Sequence, residues 1–330
     1  MTTTAFTRLR RSGRVLRDLA LAALDPDRPV VANLIVTRRC NLSCGYCFEH
    51  DRVSPPVPLE VLRDRIDHLA RLRTVMVTLT GGEALLHPDL VALVAHVAAR
   101  GMTPLVNTNG YLLTRDRIVA LDRAGLFGMQ ISVDNVEPNP TSKKSLRLLL
   151  PKLRLLAAHA TFRVRVAAVL DGAAPEEAVA VARAALALGF DTKSALVRDA
   201  AGAYVPMAPA ARAAYDQIRR LGRRAPAYLS EDFQVALLRD GRVDWKCRAG
   251  ARYFHVCEDG LVHLCSSNRG APGTPLATYD VADLRRAFAL RKRCADTCTQ
   301  PYAHQISRLD RLRRQDQPPA RAPVRLPVLA

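Results

Sequence analysis

Three cysteines, Cys40, Cys44 and Cys47, lie in the run Arg39-Cys40-Asn41-Leu42-Ser43-Cys44-Gly45-Tyr46-Cys47-Phe48, with the spacing C-x3-C-x2-C. Thiolates are soft ligands. Three of them on one short loop can hold three irons of a cubane 4Fe–4S cluster and leave the fourth iron open to a ligand that is not protein. Structural zinc wants four ligands, usually as two separated pairs; here His50 would have to supply the fourth. A disulfide would leave one thiol over and needs an oxidising compartment. The spacing favours the cluster.

Further polar groups sit where apolar runs end. Thr80-Gly81-Gly82-Glu83 follows Val75–Leu79, Asn107-Thr108-Asn109-Gly110 follows Pro104, and Ser132-Val133-Asp134 ends the run from Gly128. Paired glycines admit close backbone approach, and Asn, Ser and Asp also suit plain turns. Asp171-Gly172 ends a further run. A second set of cysteines, Cys247, Cys257, Cys265, Cys294 and Cys298, crowds the C-terminal part, with Glu258-Asp259-Gly260 as a hairpin turn between Tyr253–Cys257 and Leu261–Cys265. Four of them suffice for a second iron–sulfur cluster or for a four-cysteine zinc site. Alternation puts Cys257 and Phe254 on opposite faces of their strand, so Cys257 is a packed thiol or an alternate ligand.

The elements that must carry these groups alternate. Strands are expected at Val30–Val36, Val75–Leu79, Pro104–Asn107, Gly128–Val133, Phe162–Leu170 and Thr192–Val197. Each is short and rich in Val, Ile or Leu with little polar alternation, as in a parallel sheet buried on both faces. Helical patterns fill the gaps at Leu59–Leu72, Pro88–Arg100, Arg115–Ala124, Ser145–His159 and Pro175–Leu188. Pro58 and Pro88 stand near helix starts, and Gly101, Gly125 and Gly189 just past helix ends. The fold class expected is α/β: a partial (β/α)6 barrel with a small C-terminal α+β domain. The active site of such a barrel lies at the carboxyl ends of its strands. The organisation expected is an Arg-rich helix over 1–29, the barrel over 30–200, a helical connector over 201–245, the cysteine-rich region over 246–305 and a basic, disordered tail over 306–330.

The 330 residues are 49% hydrophobic, enough for a sizeable core, and carry a formal charge of +18. No apolar run reaches the roughly 18 residues of a membrane span, and Leu19–Leu24, crowded by Arg14, Arg17 and Asp18, is no signal peptide. A cytoplasmic protein is expected, where thiols stay reduced. The charge is almost all arginine; the lysines are Lys143, Lys144, Lys152, Lys193, Lys246 and Lys292. Aromatic residues, 5% of the chain, do not interleave with the basic runs, so stacking platforms for bases are not evident and nucleic acid is not expected as a partner. The segment Arg8–Leu24 reads as a helix covering the open end of the main domain, or as a weakly membrane-associating interfacial helix.

The C-x3-C-x2-C loop with Tyr46 before its last cysteine, followed by Gly81-Gly82-Glu83 after the second strand, resembles the radical S-adenosylmethionine (SAM) superfamily over residues 30–200. The resemblance implies that Cys40, Cys44 and Cys47 ligate a 4Fe–4S cluster whose open iron binds SAM. It implies cofactor contacts from Tyr46, Gly81, Gly82, Glu83 (to the SAM amino group), Asn107, Asn109, Ser132 and Asp134, and from Asp171-Gly172 along the adenine. Residues 245–305 resemble the Twitch or shortened SPASM auxiliary-cluster region, with Cys247, Cys265, Cys294 and Cys298 as ligands of a second 4Fe–4S cluster. The activity implied is reductive cleavage of SAM to a 5′-deoxyadenosyl radical, which abstracts hydrogen from a peptide or small molecule; a flavodoxin or ferredoxin would supply the electron. Action on RNA, or a zinc-binding regulatory role, are the alternatives. Only about 30 residues precede the first strand, too few for the winged-helix leader-peptide binder of many peptide maturases. Leu326-Pro327-Val328-Leu329-Ala330 lacks the terminal glycine pair of the molybdopterin cofactor enzyme.

Overall fold

The structure is a computed structural model that describes residues 3–47, 50–170, 174–196, 204–221, 233–268 and 271–310. Asp171-Gly172 and the 311–330 tail lie outside the described residues. Six strands, β1 (Val31–Thr37), β2 (Met76–Gly81), β3 (Thr103–Thr108), β4 (Gly128–Ser132), β5 (Arg163–Val169) and β6 (Asp191–Ala195), pair in sequence order and all in parallel. Between them run α2 (Leu59–Arg71), α3 (Leu90–Ala99), α4 (Arg115–Arg123), α5 (Leu146–His159) and α6 (Pro175–Ala187). Boundaries agree with the sequence patterns to within a few residues because the caps are local. The Thr114 hydroxyl, for example, accepts from Arg117 N at the start of α4.

One face of this sheet is apolar. Leu34, Val36, Val77, Leu79, Val106, Ile131, Val133 and Val166 are buried against Leu62, Ile66, Leu93, Val97, Ile118 and Leu153 of the helices. Alternation then sends Asn33, Thr78, Thr80, Asn107, Gln130, Ser132 and Arg165 to the other face. Register aligns them in rows: Asn33 beside Thr78, and Gln130 between Asn107 and Arg165. Val31, Ile35 and Thr78 on this second face are buried as well, so both faces of the central strands are covered as expected, and the second is the one that carries the polar groups.

The chain continues through α7 (Pro209–Leu221) and α8 (Phe233–Asp240) to β7 (Tyr253–Val256), β8 (Leu261–His263) and β9 (Thr274–Pro275), then α9 (Val281–Ala289) and α10 (Pro301–Ser307). The hairpin β7–β8 forms as its turn residues predict, with His255 opposite His263. β7 also pairs in parallel with β1, Val31 beside Tyr253 and Asn33 beside His255, so the cysteine-rich region extends the barrel's own sheet. An ion pair between Arg252 Nη2 and Asp310 Oδ1, 2.6 Å long with both side chains at 0% exposure, locks that junction. Arg252 Nη1 also donates to the carbonyls of Asp25 and Arg28. Helix α1 (Thr3–Leu24) sends Arg11 to Leu126 O and Arg14 to Met102 O, at the amino ends of β4 and β3. No described helix is long and apolar enough to cross a membrane.

Candidate active site

The thiol loop leaves β1 at Thr37 and is fixed first through backbone. Cys40 N donates to Asp51 O, Gly82 N to Thr37 O, Glu83 N to Arg39 O and Gly45 N to Thr141 O, each at 2.9 Å. The glycine pair is required at this crossing. A Cβ on Gly81, whose φ is +139°, would stand 2.0 Å from Thr37 O, and one on Gly82 2.1 Å from Arg38 O. The two glycines thus let the end of β2 press directly against the strand that delivers Cys40.

Glu83 is buried and accepts three hydrogen bonds. Oε1 accepts from Leu85 N (2.9 Å) and Thr108 Oγ1 (2.6 Å), and Oε2 accepts from Asn109 N (2.6 Å). Burial pushes its carboxyl above the usual range, against the pull of these three donors. It ties β2 to the end of β3. Asn109 in turn donates to Asn41 Oδ1 at 2.7 Å and points the same amide at Cys40 Sγ, 3.8 Å away. Asp134 does the equivalent at the end of β4. Its Oδ2 accepts from the Tyr46 hydroxyl and from Ser142 Oγ (2.7 Å) and pairs with Lys144 Nζ (3.1 Å), while Oδ1 accepts from Val169 N. Lys144 lies 4.8 Å above the Tyr46 ring, and Ser142 Oγ is 3.9 Å from Cys44 Sγ. Burial, first of all, raises the Tyr46 phenol well above its ordinary value, and the Asp134 charge adds to this.

Sequence reasoning singled out Glu83, Asn109, Asp134 and Tyr46, and the structure brings all four around the loop of Cys40, Cys44 and Cys47. Asn107 and Ser132 lie on the polar sheet face beneath it. Thr108, Asn41, Ser142 and Lys144 were missed. Their signals were Asn139, whose Oδ1 caps the turn at Thr141 N and Ser142 N, and the rarity of lysine in a chain whose cations are arginine.

The donor set suits a thiolate-bound cluster. Leu42 N points at Cys40 Sγ (3.4 Å), adding a backbone donor to the Asn109 amide, and such donors stabilise a ligating thiolate. Burial raises the Cys40 thiol; Leu42 N opposes this, and Glu83, Cys47 and Cys44 add to it. The three sulfurs thus feel one another.

The C-terminal cysteines form a second such group. Burial pushes the Cys247 thiol up to about 11, with Cys265 and Cys294 adding to the rise. Cys298 is raised by burial and by Cys265, Cys247 and Cys294. Ala249 N points at Cys247 Sγ (3.5 Å) and Gln300 N at Cys298 Sγ (3.4 Å), repeating the donor seen at Cys40. Lys292, buried and unforeseen, stands among them. Burial pulls its ammonium down to about 8, which the thiols of Cys247, Cys265 and Cys294 resist. Cys257 lies apart, its carbonyl accepting from Arg65 Nη1 of α2. Among the described residues, no three or more His, Cys, Asp or Glu side chains are drawn tightly enough together to hold a single metal ion.

The two groups occupy opposite ends of the sheet. The first sits at the carboxyl ends of β1–β4. The second packs with Val30, Val31 and Val75 at the amino ends of β1 and β2.

The family profile of the radical SAM superfamily matches residues 34–197. A GTP 3′,8-cyclase from Xanthomonas axonopodis pv. citri is 37% identical over 138 residues, 39% of this chain and 37% of that protein. A PqqA peptide cyclase from Bradyrhizobium diazoefficiens is 36% identical over 112 residues, 33% of this chain and 30% of that protein. The matched segment thus spans only about a third of each curated relative. The crystal structure of Streptococcus suis SuiB bound to precursor peptide SuiA shares the fold, with a TM-score of 0.60 at 13% identity over 78% of this chain and 65% of that one. Through residues 34–197, with the thiol loop at the carboxyl end of the first strand, this chain belongs to the radical SAM superfamily of enzymes.

Proposed function

We propose that this chain cleaves SAM reductively and abstracts hydrogen from a peptide or small molecule held at the polar face of the sheet. The observation that carries this reading is the loop of Cys40, Cys44 and Cys47, whose backbone is pinned at four points: twice to the end of β2, once to its own return at Asp51 and once to Thr141 in the segment after β4. Cys40, Cys44 and Cys47 would hold a 4Fe–4S cluster, and Cys247, Cys265, Cys294 and Cys298 a second one. Bound there, the cluster and SAM supply one-electron cleavage of a carbon–sulfur bond and a carbon radical able to take hydrogen from substrate.

The protein's own part is positioning. Glu83 and Asp134 spend acceptors, and Asn109 its side-chain donor, on the loop and on the groups that adjoin it, so the thiols are held before any ligand arrives. Ser132 and Asn107, on the polar face, are the polar groups placed for SAM itself. The backbone at Gly81 and Gly82 and the ring of Tyr46 complete the wall. Lys144 balances the carboxylate of Asp134 beside the loop. The second thiol group, at the far end of the sheet, would anchor substrate or accept an electron from it. A flavodoxin or ferredoxin in the cytoplasm is the electron donor that fits. The PqqA peptide cyclases and the peptide-bound SuiB structure favour a peptide substrate.

The test is anaerobic reconstitution with iron and sulfide, followed by dithionite. SAM should perturb the electron paramagnetic resonance signal of the reduced protein, and 5′-deoxyadenosine should accumulate. A signal indifferent to SAM together with no deoxyadenosine would refute the proposal.

A further inference from the structure

Two cations on the polar face take no part in holding the thiol loop. Arg165 of β5 lies beside Asp191, and Lys193 of β6 lies one row nearer the strand ends, beside Ala167, which in turn adjoins Ser132. Val164 and Val166 point into the apolar core, so Arg165 points to the polar face. The third member arrives from far along the chain. Tyr302 of α10, four residues past Cys298, places its ring 4.7 Å from Lys193 Nζ and hydrogen-bonds with Arg165.

Among the described residues, this group is short of negative charge: the one ion pair of Arg165 is with the half-exposed Asp191, at 3.7 Å. Among the described residues, no carboxylate lies within ion-pair reach of Lys193, and Arg165 is itself a like charge beside it. Half-buried cations without a counter-charge are costly, and an arriving anion relieves the cost. In keeping with this, burial pulls the Lys193 ammonium below its usual range, and the nearby Lys193 draws the Tyr302 phenol below its own. Gln130, next to Arg165 in register, offers an acceptor in the same row: its Oε1 is buried with no hydrogen-bond partner among the described residues.

We propose that Lys193, Arg165 and Tyr302 form an anion subsite that seats a carboxylate of the second substrate on the polar face between the two thiol groups. The inference rests on the reading that SAM sits beside the thiol loop. The residues around that loop come from β1–β4 and the segment after β4, with only Val169 N from β5, whereas this subsite is built from β5, β6 and α10. A seat there would hold the substrate between the site of radical formation and the second thiol group. Tyr302, on the helix that follows Cys298, couples the occupied subsite to that group.

The test uses the anaerobically reconstituted full chain with saturating SAM, acylated by an amine-directed reagent and read lysine by lysine by mass spectrometry. Citrate is the carboxylate probe, inorganic triphosphate the phosphate probe and chloride of equal ionic strength the control. A bound carboxylate near the ammonium raises its pKa, by about one unit for a well-placed charge, so citrate should slow acylation of Lys193 about tenfold and leave Lys152 unchanged. Arg165→Gln should lose that protection, and Tyr302→Phe should weaken it. SAM binding, measured by dialysis on the same samples, separates the two readings. If SAM binds and citrate gives no protection beyond chloride, the subsite is wrong while the SAM reading stands. If SAM alone protects Lys193 and citrate adds nothing, these cations serve SAM's own carboxylate and the proposal is overturned. Protection by triphosphate without protection by citrate would overturn the carboxylate assignment.

Discussion

The two thiol groups solve the same problem in opposite ways. At the carboxyl end of the sheet, three cysteines share one loop, and side chains from neighbouring strands brace it: Glu83, Asn109 and Asp134, with Lys144 as the balancing cation. At the amino end, four cysteines come from separate segments around β8 and α9, and only the tertiary fold gathers them, beside the buried cation Lys292. The first group keeps its ligands together by chain connectivity and should persist through local damage. The second depends on β7 lying against β1 and on the Arg252–Asp310 ion pair. β1, seven residues long, separates them by roughly 20 Å.

The largest expected effect separates the two groups outright. Cys40→Ala should bring 5′-deoxyadenosine formation to background while iron bound at the C-terminal group remains, about half of the total if both are cubanes. Undiminished deoxyadenosine from that variant would remove the N-terminal loop from the chemistry. Cys294→Ala should do the reverse, leaving uncoupled SAM cleavage but no product, with iron again lowered by about half. Full turnover by it would show that the second group is dispensable.

The next effect probes dependence on the fold. Asp310→Ala leaves the Arg252 guanidinium buried without its counter-charge, at a cost of about 3–5 kcal/mol. Chelator challenge of that variant should strip the C-terminal iron well before the N-terminal iron. Equal rates of loss would mean that the two groups do not differ in this way. The smallest effect tests the brace. Tyr46→Phe removes one donor to the Asp134 carboxylate, worth about 1.5–3 kcal/mol as a bond to a charged acceptor. It should loosen the loop enough to weaken SAM binding measurably while leaving iron content intact. Unaltered SAM affinity would show that the loop does not need this anchor.

Legibility in the sequence followed the same division. The helices and strands of the barrel were readable because caps and apolar periodicity act over a few residues, as at Thr114 and along Leu62, Ile66 and Leu69. The loop of Cys40, Cys44 and Cys47 was readable because all three thiols lie within eight residues of one another. The reason for Gly81 and Gly82 was only half readable. Close approach was foreseeable, but the partner proved to be the carbonyls of Thr37 and Arg38 rather than a ligand alone. Lys144, Ser142 and Lys292 were at most half readable: the rarity of lysine and the Asn139 turn mark them, but nothing local says that Ser142 and Lys144 turn back onto Asp134 or that Lys292 enters the second thiol group.

The sequence by itself determined the thiol spacing, the alternation of strands and helices and the residues that end each strand, because these depend on neighbours within a turn or two. Only the tertiary structure decided that β7 joins β1, that the second thiol group lies at the amino ends of β1 and β2, and that Tyr302 reaches Lys193. Those pairings join residues more than a hundred positions apart or in different elements. They are fixed by sheet register and by burial of shared apolar surface, which no local pattern encodes.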